Sequence, residues 1–139
     1  MVVKFINRLI LLTLLLSTSH VYADEVYRLR LFFGLSLPDG GGVSLEQWQA
    51  FQNGEIVKTF DGFNVVDSVG YYKGKPERSK VVTVIVDEQG VEKAKALASL
   101  YARRFGQESV MLVKVPVAEW RFIGPEYQST KRVENEPDN

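Results

Sequence analysis

What this chain can become is constrained first by the ten residues Val26–Leu35. Tyr27, Leu29, Leu31, Phe33 and Leu35 fall on one side of an extended backbone, and Arg28, Arg30 and Phe32 on the other. A period of two with this aromatic content describes a half-buried β-strand, because successive side chains of a strand point to opposite faces. Such a strand needs partners on both edges and a layer over its apolar side. The remaining sequence has to supply them.

It does so in a recognisable order. Pro38-Asp39-Gly40-Gly41-Gly42 breaks the chain into a flexible loop. Ser44, followed by Gln47 three residues later, fits a capping box that opens a helix. Leu45, Trp48, Phe51 and Ile56 give that helix an irregular apolar stripe, and Asn53-Gly54 either ends it early or weakens it. Asp61-Gly62 marks a turn, and Phe63 to Tyr72 reads as a second strand. Lys73 to Arg78 reads as the hairpin connection, and Lys80 to Val86 as a third, strongly β-branched strand. Asp87 is placed to cap a second helix with Val91, Ala94, Leu97, Ala98, Tyr101 and Phe105 along one face. Gly106 stands where a left-handed residue closes a helix. Val110 to Val115 is the fourth strand, stopped by Pro116. The order β-α-β-β-α-β predicts a ferredoxin-like α+β sandwich, with two helices on one face of a four-stranded antiparallel sheet.

The N-terminal residues 1–23 read as a cleavable signal peptide. Lys4 and Arg8 precede the apolar run Leu9–Leu16, and Val21-Tyr22-Ala23 offers small side chains at the −3 and −1 positions. The run is short of the roughly 20 residues that span a bilayer, and no cysteine follows it to carry a lipid. The expectation is a periplasmic or secreted protein with no stable membrane anchor after cleavage. A single α+β domain over residues 24–123 and a polar, disordered tail over 124–139 complete the expected organisation. Trp120, Phe122 and Ile123 add either an edge strand or a packed segment.

Removing the leader removes Lys4 and Arg8 and no acid, so the 17 bases and 17 acids of the whole chain become a small negative surplus. A surface this close to neutral exerts no long-range pull on nucleic acid, and none is expected as a partner. The same cleavage removes His20, the one histidine, and the chain has no cysteine. Serine and cysteine triads that need an imidazole are thereby excluded, as is zinc, copper or haem iron held by His or Cys. No metal site, cofactor or catalytic residue is assigned. Asp87, Glu88 and Glu92 read as a solvated helix start, where acids are favoured.

Two groups of residues remain as candidates. Glu77, Ser79, Lys80, Arg104, Gln107, Glu108 and Ser109 would form a polar cluster if the strand ends converge, although Ser79 and Lys80, as strand neighbours, cannot meet as a dyad. The competing reading is capping, with arginines on free helix carbonyls and Gln107 and Ser109 on loop backbone. The second group is Arg28, Arg30 and Phe32. If the helices cover the Tyr27/Leu29 side, these three lie on an uncovered face together with Val81, Thr83, Ile85, Val110, Leu112 and Lys114. A half-apolar face does not stay open in a stable monomer, so it should meet a second copy, the segment around Trp120, or a ligand. A homodimer or another periplasmic protein is the expected partner.

The segments Tyr27–Ser36, Pro38-Asp39-Gly40, Trp48–Phe51, Glu77–Lys80 and Arg103–Val110 together resemble a family of small exported bacterial proteins known only as a domain of unknown function. The resemblance implies export and one compact α/β domain over residues 26–115, and it supplies no activity or catalytic residues. The leading expectation is therefore a non-enzymatic binding or interaction module. The alternative is a small metal-independent enzyme whose Arg/Glu/Lys pocket acts on an anionic or sugar-like substrate.

Overall fold

The computed structural model describes residues 25–37 and 39–127. The leader, residues 1–23, and most of the expected tail lie outside the described residues. Four strands, β1 (Tyr27–Gly34), β2 (Asn64–Tyr72), β3 (Lys75–Val86) and β4 (Met111–Pro116), form one antiparallel sheet in the order β2-β3-β1-β4. The first helix opens as α1 (Leu45–Phe51), passes through a π-helical turn (Gln52–Ile56) and ends as α2 (Val57–Thr59). The second is α3 (Glu88–Arg104). This is the ferredoxin-like sandwich: the alternating strand is central, and its apolar side is buried under the helices.

The caps form as the sequence requires. Ser44 Oγ accepts from the Gln47 N–H while Gln47 Oε1 accepts from the Ser44 N–H. Asp87 Oδ1 accepts from the Gly90 N–H at 2.7 Å, satisfying one of the first free donors of α3. At the other end of α3, Gly106 takes φ +61° and the Gln107 N–H donates to the Ala102 carbonyl, a Schellman closure. The loop after β1 is also tied down, with Val43 N–H donating to Leu35 and Leu37 N–H to Gly41.

One open alternative is decided, and two expectations need correction. Asn53-Gly54 does not end the first helix. Trp48, Phe51, Ile56 and Phe60 are all buried, and the five-residue step from Phe51 to Ile56 suits the i→i+5 bonding of a π turn. Leu45, expected on that stripe, is exposed. The hairpin connection is two residues, not six. Lys73 (φ 49°) and Gly74 (φ 75°) make the tight turn that matches strand twist. Pro76 fits inside β3 because it pairs with Tyr71 on one side only; β1 does not reach past Ser79.

The core is a cluster of rings and branched aliphatics. Phe33 lies 4.8 Å from Tyr101 and 5.5 Å from Trp48, and Phe51 lies 5.0 Å from Tyr101. Leu29, Leu31, Val82, Val91 and Ala94 fill the space below α3. Polar atoms within this cluster are paired: Tyr101 Oη donates to the Gly34 carbonyl at 2.8 Å, and Trp48 Nε1 to Gln52 Oε1 at 3.0 Å. At Gly90 the helix sits so close to β3 that an added Cβ would lie 2.4 Å from Val86 Cβ.

Candidate functional site

The strand register assigns every residue of the sheet to a face. Phe32 stands opposite Val81 on one side and Met111 on the other, and Val81 stands opposite Val66. Val66, Val81, Phe32 and Met111 therefore form an unbroken apolar row across all four strands, on the face away from the helices. The next row holds Thr83, Arg30 and Val113, and the one after it Ile85, Arg28 and Val115. Arg30 folds its guanidinium over the Phe32 ring, 5.0 Å from the centroid. Met111 and Val66 are more than half exposed, and Ile85, Val113 and Val115 more than a third, whereas Val81 in the middle of the row is buried and Phe32 half-buried.

β4 contributes Met111, Val113 and Val115 to this face, not Val110, Leu112 and Lys114. Leu112 pairs with Leu31 and packs against the core, and Lys114 pairs with Leu29 on the helix side. Both sides of Met-Leu-Val-Lys-Val are largely apolar, so alternation alone cannot say which side faces in. Trp120 and Phe122 pack edge-on against each other at 5.3 Å, and Phe122 remains 92% exposed.

The polar cluster divides rather than converging. Lys80 points to the helix side, where its Nζ lies 2.5 Å from Asp67. Glu77 and Ser79 share the uncovered face, opposite Gly70 and Ser68 on β2. Arg104 does not cap carbonyls; it donates to Glu55 in the π turn at 2.6 Å and lies over the Phe51 ring, so it ties α3 to the first helix. Glu108 and Ser109 are exposed in the loop before β4. Gln107 reaches back to the end of β1. Its Nε2 donates to the Ser36 carbonyl, and its Oε1 lies 3.0 Å from where a Gly34 Cβ would stand. By alternation that Cβ position is on the uncovered face, so Gln107 joins Ser79 and Glu77 there.

The larger of two shallow concavities found among the described residues lies on the helix side. Leu35, Ser36, Val43, Ser44 and Trp48 enclose, with Arg78 and Lys80, a shallow cleft of about 420 Å³. Arg78 and Asp67 were missed by sequence reasoning. The strand period would have found Arg78, since it is two residues from Lys80 and must share its face. Asp67 is visible only through the register.

Displaced protonation elsewhere has simple causes. A hydrogen bond to Glu25 and partial burial push Tyr27 up to about 12. The Lys114 ammonium, 2.6 Å from Glu88, holds that carboxyl below its ordinary range. Burial pushes Tyr101 up to about 12. Among the described residues no three His, Cys, Asp or Glu side chains are grouped to hold a metal ion, and no helix is long and apolar enough to cross a membrane.

With this geometry in hand, comparison with known sequences is decisive on kinship. The family described as "Protein of unknown function (DUF3574)" matches over residues 28–122. This chain belongs to that family. The match runs from the first strand of the sandwich past the last, so the DUF3574 unit takes in both the uncovered face and the cleft. No curated protein matches. Solved structures similar to the chain include a phage SAM lyase in complex with S-methyl-5'-thioadenosine, at 18% identity and a TM-score of 0.49. The alignment covers 76% of this chain and 100% of that one. The same phage enzyme in its apo state is similar at 16% identity with a TM-score of 0.46, over the same shares of each chain.

Proposed function

We propose that this DUF3574 protein is an exported, non-enzymatic binding module that engages its partner through the uncovered sheet face. The row Val66-Val81-Phe32-Met111 carries the reading: its middle is already shielded, with Val81 buried and Phe32 half-buried, but Val66 and Met111 at its ends stand more than half exposed, and covering them is favourable at roughly 25 cal/mol per Å² removed from water. The leader-like residues 1–23 support the periplasm or the exterior as the place where it acts. Glu77, Lys80, Arg104 and Glu108 lie apart, which weighs against the pocket an enzyme of this composition would need.

Photo-crosslinking from position 111 in the exported protein tests the reading. A covalent adduct to a polypeptide is expected, it should vanish with Phe32→Asp, and it should survive Lys80→Ala. Adduct formation from position 78 but never from 111 would remove it. Mass spectrometry of the exported chain tests the leader, with a first residue of Asp24 expected.

One observation favours a second reading. Arg78 and Lys80 converge on the cleft, and two cations beside Ser36 and Ser44 suit an anionic or sugar-phosphate ligand of a metal-independent enzyme. Amide resonances of residues 35–44 and 78–80 should move on titration with inorganic phosphate if the cleft is a site. Unmoved resonances at about 20 mM phosphate, roughly twenty times the upper end of ordinary KM values, would discard it.

A further inference from the structure

The uncovered face has two unlike halves. On one side of the Val66-Val81-Phe32-Met111 row are Arg30 and then Arg28, both exposed on the central strand. On the other side are acceptors: Ser68, Ser79 and the Gln107 side chain over Gly34 in the first row, and Glu77 in the next. Counted from the apolar row, Arg30 and the Ser79/Gln107 row are each one step away, and Arg28 and Glu77 are each two.

We infer that this face is the contact between two copies of the chain, related by a two-fold axis that runs along the apolar row. The inference rests on the reading of the sheet face as the working surface and names its occupant. Rotation about such an axis lays the row on its own copy and exchanges the two halves. Arg30 of each copy then faces the partner's row of hydroxyl and amide oxygens, and Arg28 faces the row that holds the partner's Glu77. Each charge appears twice, as an isologous contact requires. A two-fold parallel to the strands would instead leave the two arginine rows facing each other, which like-charge repulsion opposes. The apolar row stays in the middle with polar groups around it, the usual anatomy of a specific interface.

Size sets the expected strength. Four strands about 4.8 Å apart and six residues of about 3.3 Å give a face of roughly 19 by 20 Å. That is roughly 400 Å² a side, below the roughly 800 Å² a side of a standard stable interface, so the dimer is a weak, transient one whose association should depend on concentration in the high-micromolar to millimolar range.

Sedimentation velocity of the exported chain across a concentration series tests this, with charge exchange as the control. Wild type should shift from monomer to dimer. Arg28→Glu and Glu77→Arg, both at exposed positions, should each weaken the dimer at least tenfold, and the double variant should recover to within about threefold of wild type. A double variant no stronger than the single ones would overturn the axis. A wild type that stays monomeric at millimolar concentration would overturn self-association altogether. In that second case the crosslink from position 111 separates the two ideas: an adduct to a different polypeptide keeps the sheet-face reading, and its absence ends both.

Discussion

Phe32 and Phe33 are neighbours on one strand, yet their surroundings have little in common. Phe33 is fully buried, with Trp48, Phe51 and Tyr101 all within 6 Å of its ring centre. Phe32 lies between Val81 and Met111 under a guanidinium and is only half-buried, on the face away from the helices. The same strand thus serves two purposes by parity: odd-numbered side chains hold the monomer together, and even-numbered ones are left for something else. What the contrast teaches is that hydrophobicity at a position does not reveal its role until its face is known.

The sharpest way to break the contrast is to truncate each ring in turn. Phe33→Ala should cost about 3–5 kcal/mol in urea denaturation, the range for removing a buried ring. Phe32→Ala should leave the monomer's stability within about 1 kcal/mol and act instead on association. Equal losses would mean the two faces contribute alike to folding. Next in size is Gly90→Ala. The added methyl collides with Val86, and overpacking of this kind costs about 1–3 kcal/mol. A neutral result would show that α3 is not seated on β3 as described.

Tyr101→Phe gives a smaller and more specific effect. It removes the hydrogen bond to the Gly34 carbonyl, worth about 1 kcal/mol net. Burial raises the phenol's pKa in the folded state, so the neutral form is the one folding favours. Its contribution is therefore complete below the unfolded value near 10 and is lost as pH rises toward about 12. The phenylalanine variant should lose that step in an alkaline unfolding curve. The smallest effect expected is that of Glu88→Gln. The folded pKa is lowered by Lys114, so the pair's contribution is present at neutral pH and fades as pH falls through that lowered value. The variant should be slightly less stable at neutral pH and converge with wild type in acid, and salt should diminish the difference.

Much of the architecture was legible because each element carries its own local signature. The alternation of Tyr27–Leu35, the Ser44/Gln47 box, the Asp87 cap and Gly106 all did in three dimensions what their types prescribe. Strand order followed from the order of the elements. Less could be read where two physical solutions compete. Met111–Val115 is apolar on both sides, so its inward face had to be learned from its register with β1. The stripe of the first helix is regular only once a π turn is allowed at Gln52–Ile56. The polar cluster failed for a plainer reason: Glu77 and Ser79 share one parity and Lys80 has the other, so residues adjacent in sequence lie on opposite surfaces. Gln107 was correctly singled out, but its place over Gly34 depends on how the loop after α3 folds back, which no periodicity encodes.

The two-residue turn at Lys73-Gly74 extends the β2–β3 pair beyond the reach of β1, which ends opposite Ser79. From there outward the ribbon is only two strands wide, and Val69, Tyr71 and Tyr72 stand largely in solvent. An arm of this kind breathes on its own, because few buried contacts hold it. Its amides should trade hydrogen for deuterium well before those of Val81–Val86, and a protease should nick its tip while the body of the sandwich stays whole.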